Sequence, residues 1–567
     1  MSDAPLDDEQ RRAVDATERA IAVLAGPGSG KTRTLSHRMR RLLRDSPGSR
    51  ALALTFTNKA AAEMKTRALA LAAMGSERIR AGTFHGFGAR FLRSQGELVG
   101  IGSDFEIVDS DEQKDIASLV GARSATLVDQ WGDARLRGLE PAPTLARFGE
   151  SYEAAKRREG VVDFNDLVVY TSDILGANEE IAKAYAARFP NILVDEFQDT
   201  NGAQFRIINA LAKHAETVSV FADDDQAIFR FTGAERENIE RFIDQLGATV
   251  YPLSFNYRCA EEIVDRANAL IAADPESSGR RMRAHHAGGT VSLKPSASVE
   301  READDLAHEI AARIGAGQPA HEIAVLARSG FRASDLVTAL RARQLPVSDW
   351  RADTYQPRER RTFITTLSVL RGTLNDRQAR RLCELMQVDL PEQRVTEELL
   401  EVFDGHPVGT ELNKVRELAF GAAPLIEVAA QAQRAASTAD PSAFDALTPM
   451  VAAVADFAAH DPEFTLDDLL ADLVLGGGGR PPTAGGGIKV ATLHKTKGLE
   501  WPTVYLLGLE HDSLPGHWCA ADEIPEERRL CFVGVCRAER ELILTFAQRY
   551  RGHPKSPSGF LREMGFA

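Results

Sequence analysis

The sequence predicts an α/β protein of two parallel-sheet domains, each interrupted by a helical insertion. Three observations predict it: short apolar runs alternate with helical stretches, the alternation stops in two places, and a glycine-rich loop follows the first apolar run. The apolar runs have the length of buried strands and lie at residues 21–24, 51–56, 192–194, 217–222, 250–255, 291–294, 322–327, 488–493, 503–508 and 541–545.

The places where the alternation stops set the predicted domain boundaries. Residues 90–165 are helical and polar. Residues 371–487 are amphipathic helix followed by the segment LGGGGRPPTAGGG, whose composition is typical of a flexible linker. We therefore expect two helical insertions at these ranges, with the first sheet domain in residues 1–89 and 166–249 and the second in residues 250–370 and 488–567.

A phosphate-binding loop is the most specific pattern in the first half of the chain. It follows the apolar run at 21–24, where a buried strand turns into a helix, and its glycines allow the tight backbone in which N–H groups surround phosphate oxygens. Lys31 can reach the β and γ phosphates of a nucleotide, and the Thr32 hydroxyl can ligate Mg²⁺. The loop is Ala25, Gly26, Pro27, Gly28, Ser29, Gly30, Lys31 and Thr32, with Ala25 where the general pattern has glycine.

Two carboxylates end a second predicted strand, in the segment NILVDEFQDTN at residues 191–201. Asp195 is placed to hold Mg²⁺, and Glu196 to polarise the water that attacks the γ phosphate. A glycine-rich loop alone is often only a turn, and an Asp-Glu pair alone is often a solvated loop. Because both segments follow strands in one chain and in this order, they predict a nucleoside triphosphatase.

Composition excludes several classes of protein. Against 82 Asp and Glu there are 68 Lys and Arg, and the net charge of −14 argues against a basic coat but leaves a local basic groove open. The N-terminal MSDAPLDDEQ has no apolar secretory core, and no apolar stretch approaches membrane length, which favours a cytoplasmic protein without membrane contact. The five cysteines form no CxxC pair, so we expect reduced thiols and no zinc, iron–sulfur cluster or disulfide.

Further motifs occur in order along the whole chain. They are LDDEQRRAV (6–14), TFTNKAAAEMKTR (55–67), TFHGFGARFLR (83–93), VVDFNDLV (161–168), FADDDQAIFRFTGAE (221–235), LSFNYRC (253–259), TLHKTKGLEWP (492–502) and EERRLCFVGVCRAE (526–539). Together with the two segments above, they resemble the motifs of UvrD/PcrA/Rep-type helicases of superfamily 1. The resemblance implies two RecA-like lobes, with ATP and Mg²⁺ between them and DNA across their tops.

Chemistry and resemblance together assign the nucleotide site. Phosphoryl transfer needs positive charge at the γ phosphate as it leaves, and Arg258 and Arg537 lie in motifs of the second domain that can supply it. By the resemblance, Gln226 senses the γ phosphate and Gln10 reads the adenine edge. Arg33 and Tyr257 would sandwich the adenine, and Glu500 would contact the ribose. The predicted catalytic residues are Lys31, Glu196, Gln226, Arg258 and Arg537.

The single-strand contacts also come from the resemblance, which further implies movement in the 3′ to 5′ direction. Aromatic side chains stack on any base, and lysine or arginine meets phosphates. Aromatic residues after strands are often core residues instead, so both interpretations of Phe56 and Phe229 stay open. The predicted DNA-binding residues are Phe56, Thr57, Asn58, Lys59, Thr83, His85, Phe229, Phe231, Thr492, His494 and Lys495, with Arg90 and Lys497 as further phosphate contacts.

Departures from the family pattern bear on the biological role. Thr232 stands where the family usually has arginine, Cys536 where it has threonine and Ala222 where it has glycine. The second insertion shows no GIG-type hairpin, the element that grips duplex DNA in relatives. We therefore expect strand translocation rather than processive duplex unwinding, and no nuclease or polymerase-docking tail after SGFLREMGFA.

Two functional classes stay open. The first is a self-sufficient DNA-dependent ATPase that unwinds DNA or strips proteins from it in repair or replication restart. The second is a motor or sensor subunit of a nuclease-coupled, phage-defence type complex, with little unwinding of its own. Expected partners are single-stranded DNA and single/double-strand junctions, with a nuclease or repair factor as a possible protein partner, and we expect a monomer or small oligomer.

Overall fold

The computed structural model describes residues 5–70, 76–122, 126–230, 233–348, 407–420, 424–439 and 486–566, with isolated positions between 366 and 455. Its strands, in chain order, are β1 (Ala20–Ala25), β2 (Ala51–Thr55), β3 (Ile79–Thr83), β4 (Glu106–Ile107), β5 (Val161–Val162), β6 (Asn191–Val194), β7 (Thr217–Ala222), β8 (Thr249–Leu253), β9 (Phe255–Ala260), β10 (Arg283–His286), β11 (Thr290–Ser296), β12 (Ile323–Ala327), β13 (Val347–Ser348), β14 (Ile488–Thr492), β15 (Trp501–Leu507), β16 (Ala538–Ala547), β17 (Arg549–Tyr550) and β18 (His553–Pro554).

The helices are numbered in the same way. They are α1 (Asp8–Asp15), α2 (Lys31–Asp45), α3 (Asn58–Ala70), α4 (Phe84–Gln95), α5 (Ser110–Leu119), α6 (Thr126–Arg137), α7 (Pro143–Glu159), α8 (Phe164–Ala177), α9 (Glu179–Arg188), α10 (Gly202–Ala212), α11 (Asn238–Leu246), α12 (Glu261–Ile271), α13 (Val299–Gly315), α14 (Gly330–Ala342), α15 (Pro407–Phe420), α16 (Leu425–Ala439), α17 (Ile524–Val535) and α18 (Gly559–Glu563).

The first sheet has six parallel strands in the order β3-β2-β6-β7-β1-β8. Alternate residues of one strand enter two separate cores: Leu52 and Leu54 of β2 pack on one face, and Ala51 and Ala53 on the other. A parallel sheet needs both faces covered, and helices cover them here. This sheet and the second confirm the predicted fold class of two helix-covered parallel-sheet domains.

Next to the predicted boundary at residue 250, one strand of the predicted second domain pairs with the first sheet. The sequence analysis begins the second domain at residue 250 and places a strand there at 250–255. In the structure, β8 pairs in parallel with β1 and forms the edge of the first sheet, and a separate strand, β9, begins at Phe255. An apolar run gives the strand but not its partner, because pairing depends on which sheet edge is free.

The second sheet also has six parallel strands, in the order β11-β16-β15-β12-β14-β13. The strands β12 and β14 are neighbours in this sheet although 160 residues separate them along the chain. Leu326 and Leu506 pack on one face, and Val325 and Tyr505 on the other. Three two-stranded ladders complete the sheets: β9 with β10, β17 with β18, and β4 with β5.

The helical insertions are seen to different extents. Within residues 90–165, α5, α6 and α7 share a small core that includes Ile116 and Tyr152. Within residues 371–487, the described helices are α15 and α16, which pack against each other. Most of the predicted glycine-proline linker lies outside the described residues. Among the described helices, none combines the length and the apolarity that crossing a membrane requires.

Candidate active site

The phosphate loop connects β1 to α2 and has the backbone that its glycines predict. Gly28 and Gly30 have φ values of +68° and +81°, in the left-handed region that other residues rarely adopt. Gly30 is also the N-cap of α2 and offers no side chain to the first amides of the helix. The N–H groups at the start of α2 can therefore bind phosphate oxygens, and the helix dipole favours negative charge there.

The second domain approaches the loop at Gly28. The Tyr257 N–H donates to the Gly28 carbonyl at 2.8 Å. A Cβ built at Gly28 would lie 2.7 Å from both the Arg258 Cβ and the Asn256 Oδ1. Any side chain at this position would push β9 away from the loop, so this glycine serves both the turn and the meeting of the two domains.

Gln10 supports the loop from the N-terminal helix. Its side chain is buried, and its Nε2 donates to the Ser29 carbonyl at 2.9 Å. A Cβ at Gly30 would lie 2.7 Å from this Nε2. The side chain is oriented by a capping box in which its Oε1 accepts from the Asp7 N–H at 3.3 Å. These contacts brace the phosphate loop, and adenine recognition by Gln10 stays a prediction.

Lys31 lies in the cleft with its ammonium close to a carboxylate of the first sheet. Its Nζ is 3.2 Å from the Ala25 carbonyl and 3.4 Å from Asp223 Oδ2. The other Asp223 oxygen is buried and has no hydrogen-bond partner among the residues that the structure describes. This geometry holds the ammonium beside the phosphate loop, and its contact with nucleotide phosphates stays a prediction.

The two predicted catalytic carboxylates follow β6. The Thr32 hydroxyl donates to Asp195 Oδ2 at 3.3 Å, which brings together the two groups predicted to hold Mg²⁺. Glu196 has a φ of 52°, an uncommon backbone for a residue other than glycine, and such outliers concentrate at functional sites. These oxygen donors fit Mg²⁺, and the uncapped N-terminus of α2 beside them fits a nucleoside triphosphate.

The pKa values of these two carboxyl groups move in opposite directions. Burial and the neighbouring Glu196 charge raise the pKa of Asp195 to about 7. Burial also acts to raise the pKa of Glu196, but Lys31 and Lys497 outweigh it and lower that pKa to about 2. Two interacting carboxyl groups whose pKa values separate are typical of sites in which they have different tasks. Glu196 is therefore ionised at neutral pH and able to accept a hydrogen bond from water.

Two arginines of the second domain enter the cleft side by side. Arg537 is buried, and its Nη2 donates to Gln226 Oε1 at 3.1 Å. Arg258 contacts Glu500 and donates from Nη1 to the Cys536 carbonyl at 3.3 Å. Burial and the adjacent Arg258 charge lower the pKa of Arg537 to about 10. Two neighbouring guanidinium groups repel each other unless an anion lies between them, so this arrangement favours a phosphate.

Gln226 joins the two domains. It lies in the turn after β7, and its Nε2 donates to Asp223 while its Oε1 accepts from Arg537. The side chain therefore contacts the carboxylate that holds Lys31 and the arginine that enters from the second sheet. The structure brings together all five predicted catalytic residues in one cleft.

Lys497 is a correction to the sequence analysis, which expects it to contact DNA phosphates. It lies largely buried in the cleft, where its ammonium pairs with Asp199, lies 3.6 Å from Glu196 and donates to the Gln226 carbonyl at 3.0 Å. Burial opposes its charge, but Asp199 and Glu196 raise its pKa. The turn at residues 493–496 carries Lys497 toward the first domain, and the motif spacing alone does not show this.

The predicted adenine and ribose contacts are near the loop. Tyr257 donates its hydroxyl to Asp7, and its ring lies 4.7 Å from that of His285. Glu500 is exposed and contacts Arg258. The positive charge of Arg33 acts on the Tyr257 hydroxyl, although burial is the largest effect there and the pKa of Tyr257 is raised. Stacking of adenine between Arg33 and Tyr257 stays a prediction.

The DNA contacts predicted in the first domain have mixed environments. Thr83 is buried and caps α4 by accepting from the Gly86 N–H at 3.0 Å, which is a structural role. Thr57 is exposed and accepts from the Ala60 N–H. Phe56 is half-buried, with its ring 6.3 Å from that of Phe84. Burial lowers the pKa of His85 to about 4, so its imidazole is neutral.

The contacts predicted in the second half lie close to the cleft. Phe229 is half-buried, with its ring 6.4 Å from the His494 ring and 5.3 Å from the Lys497 ammonium. Lys495 is exposed, and Thr492 begins the turn at 493–496. Phe231 and Thr232 lie outside the described residues, as do the side chains of Asn58 and Lys59. Their DNA contacts stay predictions.

The sequence analysis missed the acidic residues beside the predicted catalytic ones. Asp199 pairs with Lys497, and burial raises its pKa to about 7. Three consecutive carboxylates at residues 223–225 approach within 4.8 Å of one another, a spacing that can hold a metal ion. Lys31, Arg236 and Arg280 already pair with this group, so Thr32 and Asp195 are the better Mg²⁺ ligands. The motifs DEFQDT and DDDQ contain these acids, and their position after buried strands was the signal available.

Comparisons with known proteins match almost the whole chain. The family model described as UvrD/REP helicase N-terminal domain matches residues 6–247, and the UvrD-like helicase C-terminal domain matches residues 251–420 and 423–549. The chain is 31% identical over 639 aligned positions to DNA helicase II of Escherichia coli, covering 99% of this chain and 87% of that protein. It is 28% identical to the ATP-dependent DNA helicase PcrA of Staphylococcus epidermidis, covering 99% of this chain and 86% of the relative.

Proposed function

The chain belongs to the UvrD/REP family of ATP-dependent DNA helicases, and we propose that it hydrolyses ATP between its two sheets to move 3′ to 5′ along single-stranded DNA. One observation carries this proposal. The phosphate loop and carboxylates of the first sheet meet Arg258, Arg537 and Lys497 of the second part of the chain around Gln226. A cleft of this kind is complete only when both domains contribute.

Each side chain in the cleft has a task that follows from its surroundings. Lys31 and the first amides of α2 bind the phosphates, and Glu196 orients a water molecule and accepts its proton. Arg258 and Arg537 stabilise the charge that develops on the transferred phosphoryl group, an effect of several kcal/mol for such arginines. Thr32 and Asp195 would hold Mg²⁺, which supplies further positive charge at the β and γ phosphates.

A short chain of contacts connects hydrolysis to the predicted DNA path. Lys497 touches the carboxylates of Glu196 and Asp199 on one side, and its ammonium lies over the Phe229 ring on the other. The Phe229 ring in turn is next to His494. When the charge around Glu196 changes during turnover, Lys497 is the group through which the change reaches Phe229. We propose this contact chain as the link between ATP and movement.

The biological setting is also part of the proposal. A DNA motor of this kind would act in the cytoplasm, in DNA repair or genome maintenance, on single-stranded DNA and single/double-strand junctions. A nuclease or repair factor is the expected kind of protein partner. The second candidate is a motor subunit of a nuclease-coupled complex with little autonomous unwinding, which the departures of the second insertion from the family pattern favour.

The testing experiment measures ATP turnover without nucleic acid, with single-stranded DNA, and with duplexes that carry a 3′ or a 5′ tail. Unwinding of each duplex is followed in parallel, and Glu196→Gln is the inactive control. Stimulation by single strands with unwinding of the 3′-tailed duplex alone is expected for an autonomous motor. Stimulation without unwinding would favour the partner-dependent candidate. ATP turnover that is not stimulated by DNA, or preferential unwinding of the 5′-tailed duplex, would contradict the proposal.

A further inference from the structure

An exposed tryptophan lies in the loop between β15 and α17. The Trp518 side chain is 56% exposed, although tryptophan carries the largest apolar surface of any residue. None of the catalytic contacts described above involves Trp518. A single exposed apolar residue is common on protein surfaces. This ring, however, is held by several specific contacts.

A buried carboxylate organises the support under the ring. Glu527 is 5% exposed and accepts from the Arg328 Nε at 2.9 Å and from the Gly516 N–H at 3.2 Å. The indole lies directly on Gly516, where a Cβ would come within 2.6 Å of the Trp518 Cζ2. The Arg328 guanidinium is 5.3 Å from the centre of the ring, a cation–π distance. The ring is therefore fixed in place while more than half of its surface faces solvent.

This platform lies at the edge of the second sheet that also carries the predicted DNA contacts. Arg328 follows the C-terminal end of β12, and His494 follows that of the neighbouring strand β14. Burial is the main cause of the lowered His494 pKa, and the Arg328 charge is the second, so the two side chains are close. His494 in turn neighbours Phe229. A row of rings and one guanidinium thus runs from the cleft to Trp518.

The charge near this row suits a polyanion whose bases can stack. Arg328 and the exposed Lys495 are cationic. Two acidic groups nearby contact Arg230: Asp522 of the loop lies 4.0 Å from its guanidinium, and Glu526 of α17 accepts from its N–H at 3.2 Å. These two contacts also bring the loop next to residues 229–230, which belong to a predicted DNA-binding motif.

We propose that Trp518, held by Arg328, Gly516 and Glu527, stacks on a nucleobase and extends the single-strand path along the edge of the second sheet. This inference rests on the proposed function, because it adds a contact to the same DNA path. Stacking on an aromatic face is tolerant of base identity. The added contact therefore raises affinity for single strands of any sequence.

The test uses the full chain and a fluorescein-labelled oligothymidylate, with binding followed by anisotropy. Trp518→Ala should weaken binding roughly tenfold, the loss expected for one stacked base. Half-maximal stimulation of ATP turnover should need correspondingly more DNA. Trp518→Phe should keep most of the affinity, which separates stacking from a folding defect. Leu98→Ala, with the same 56% exposure on the first domain, is the matched control.

The outcomes separate this inference from the proposed function. Suppose that the wild-type protein binds single strands and is stimulated by them, but that the affinity of Trp518→Ala is within twofold of the wild-type affinity. The stacking site is then wrong, and the proposed motor function is unaffected. If the wild-type protein neither binds single strands nor responds to them, both are wrong. If Trp518→Phe is as weak as Trp518→Ala while both stay folded, the ring does not act by stacking.

Discussion

The two six-stranded parallel sheets have one architecture and opposite chemistry where they meet. The first sheet ends in the phosphate loop and in buried acids, and the second brings basic side chains to the same cleft. The acids are Asp195, Glu196, Asp199 and Asp223, and the bases are Arg258, Lys497 and Arg537. Neither sheet alone has both the groups proposed to activate water and the groups proposed to stabilise the leaving phosphoryl. In the proposed mechanism, hydrolysis therefore depends on how the two domains are held together.

The same difference explains the electrostatics of the cleft. Burial and like charges raise the pKa of Asp195 and Asp199 to about 7, and they lower that of Arg537 to about 10. Each set of groups is costly to bury by itself, and the opposite set offsets that cost across the interface. The pairing of Lys497 with Asp199 is the clearest case. Substitutions on either side can test this division of tasks.

The largest effect is expected on the acidic side. Glu196→Gln keeps the shape of the side chain but removes the base, so DNA-stimulated ATP turnover should fall by about 10³-fold or more. Lys31→Ala should also abolish turnover, because the phosphates lose their lysine. Steady-state ATPase assays and thermal melts check both variants, which should stay folded. Retained DNA-stimulated turnover in either would contradict the assigned site.

The next effect is expected from the basic side. Arg537→Ala and Arg258→Ala should each lower the turnover number by about 10³-fold while changing ATP binding far less, since charge stabilisation matters most in the transition state. Turnover and nucleotide binding are measured separately on each variant. Arg549→Ala, an exposed arginine of the same half of the chain, is the control. Normal turnover in both cleft variants would mean that the second domain does not complete the site.

A third substitution compares two lysines only two residues apart. Lys497→Ala should lower turnover roughly tenfold or more and destabilise the protein by about 3 kcal/mol, because it leaves Asp199 buried without its cation. Lys495→Ala should leave stability and DNA-free turnover intact and reduce only the salt-dependent part of DNA binding. Urea melts, ATPase assays and a salt titration of DNA affinity distinguish them. Identical behaviour of the two variants would place Lys497 outside the cleft chemistry.

The smallest effect tests a property that the two domains share. Burial lowers the pKa of His85 and of His494 to about 4, below the unfolded value near 6.5. Folding then favours the neutral imidazole, so this stability is complete above pH 6.5 and is lost as the pH falls toward 4. At pH 5, each histidine should therefore lower the free energy of unfolding by about 2 kcal/mol relative to its value above pH 6.5. In urea melts, His85→Gln and His494→Gln should lose less stability between pH 7 and 5 than the wild-type protein does. An equal loss of stability would refute the lowered histidine pKa values.

The fold could be predicted because its signals are local. The strands at 21–24, 192–194 and 217–222 lie within one residue of those observed, since short apolar runs bounded by turns are specific for buried strands. The phosphate loop was equally readable, because its glycines specify backbone angles that few other residues adopt. The carboxylates Asp195 and Glu196 could be located because they come directly after a predicted strand. The predicted roles of Gln10, Arg33, Tyr257 and Glu500 toward a nucleotide stay predictions.

What could not be predicted depends on pairs of residues far apart in the chain. The strand β8 joins the first sheet because the edge of β1 is available, and the apolar run itself is silent on that choice. Lys497 meets Asp199, which is 298 residues away, and so becomes part of the cleft instead of a DNA contact. Trp518 gains a fixed position only because Glu527 and Arg328 meet beneath it.

The sequence by itself therefore determined the fold class and the helicase family, and it predicted the side chains of the proposed active site. It did so because the backbone conformations of strands and phosphate loops depend on neighbouring residues. Only the tertiary structure decided which charged groups face one another across the cleft and that the Trp518 ring stays exposed. Those outcomes depend on contacts between segments hundreds of residues apart, which burial and opposite charge stabilise.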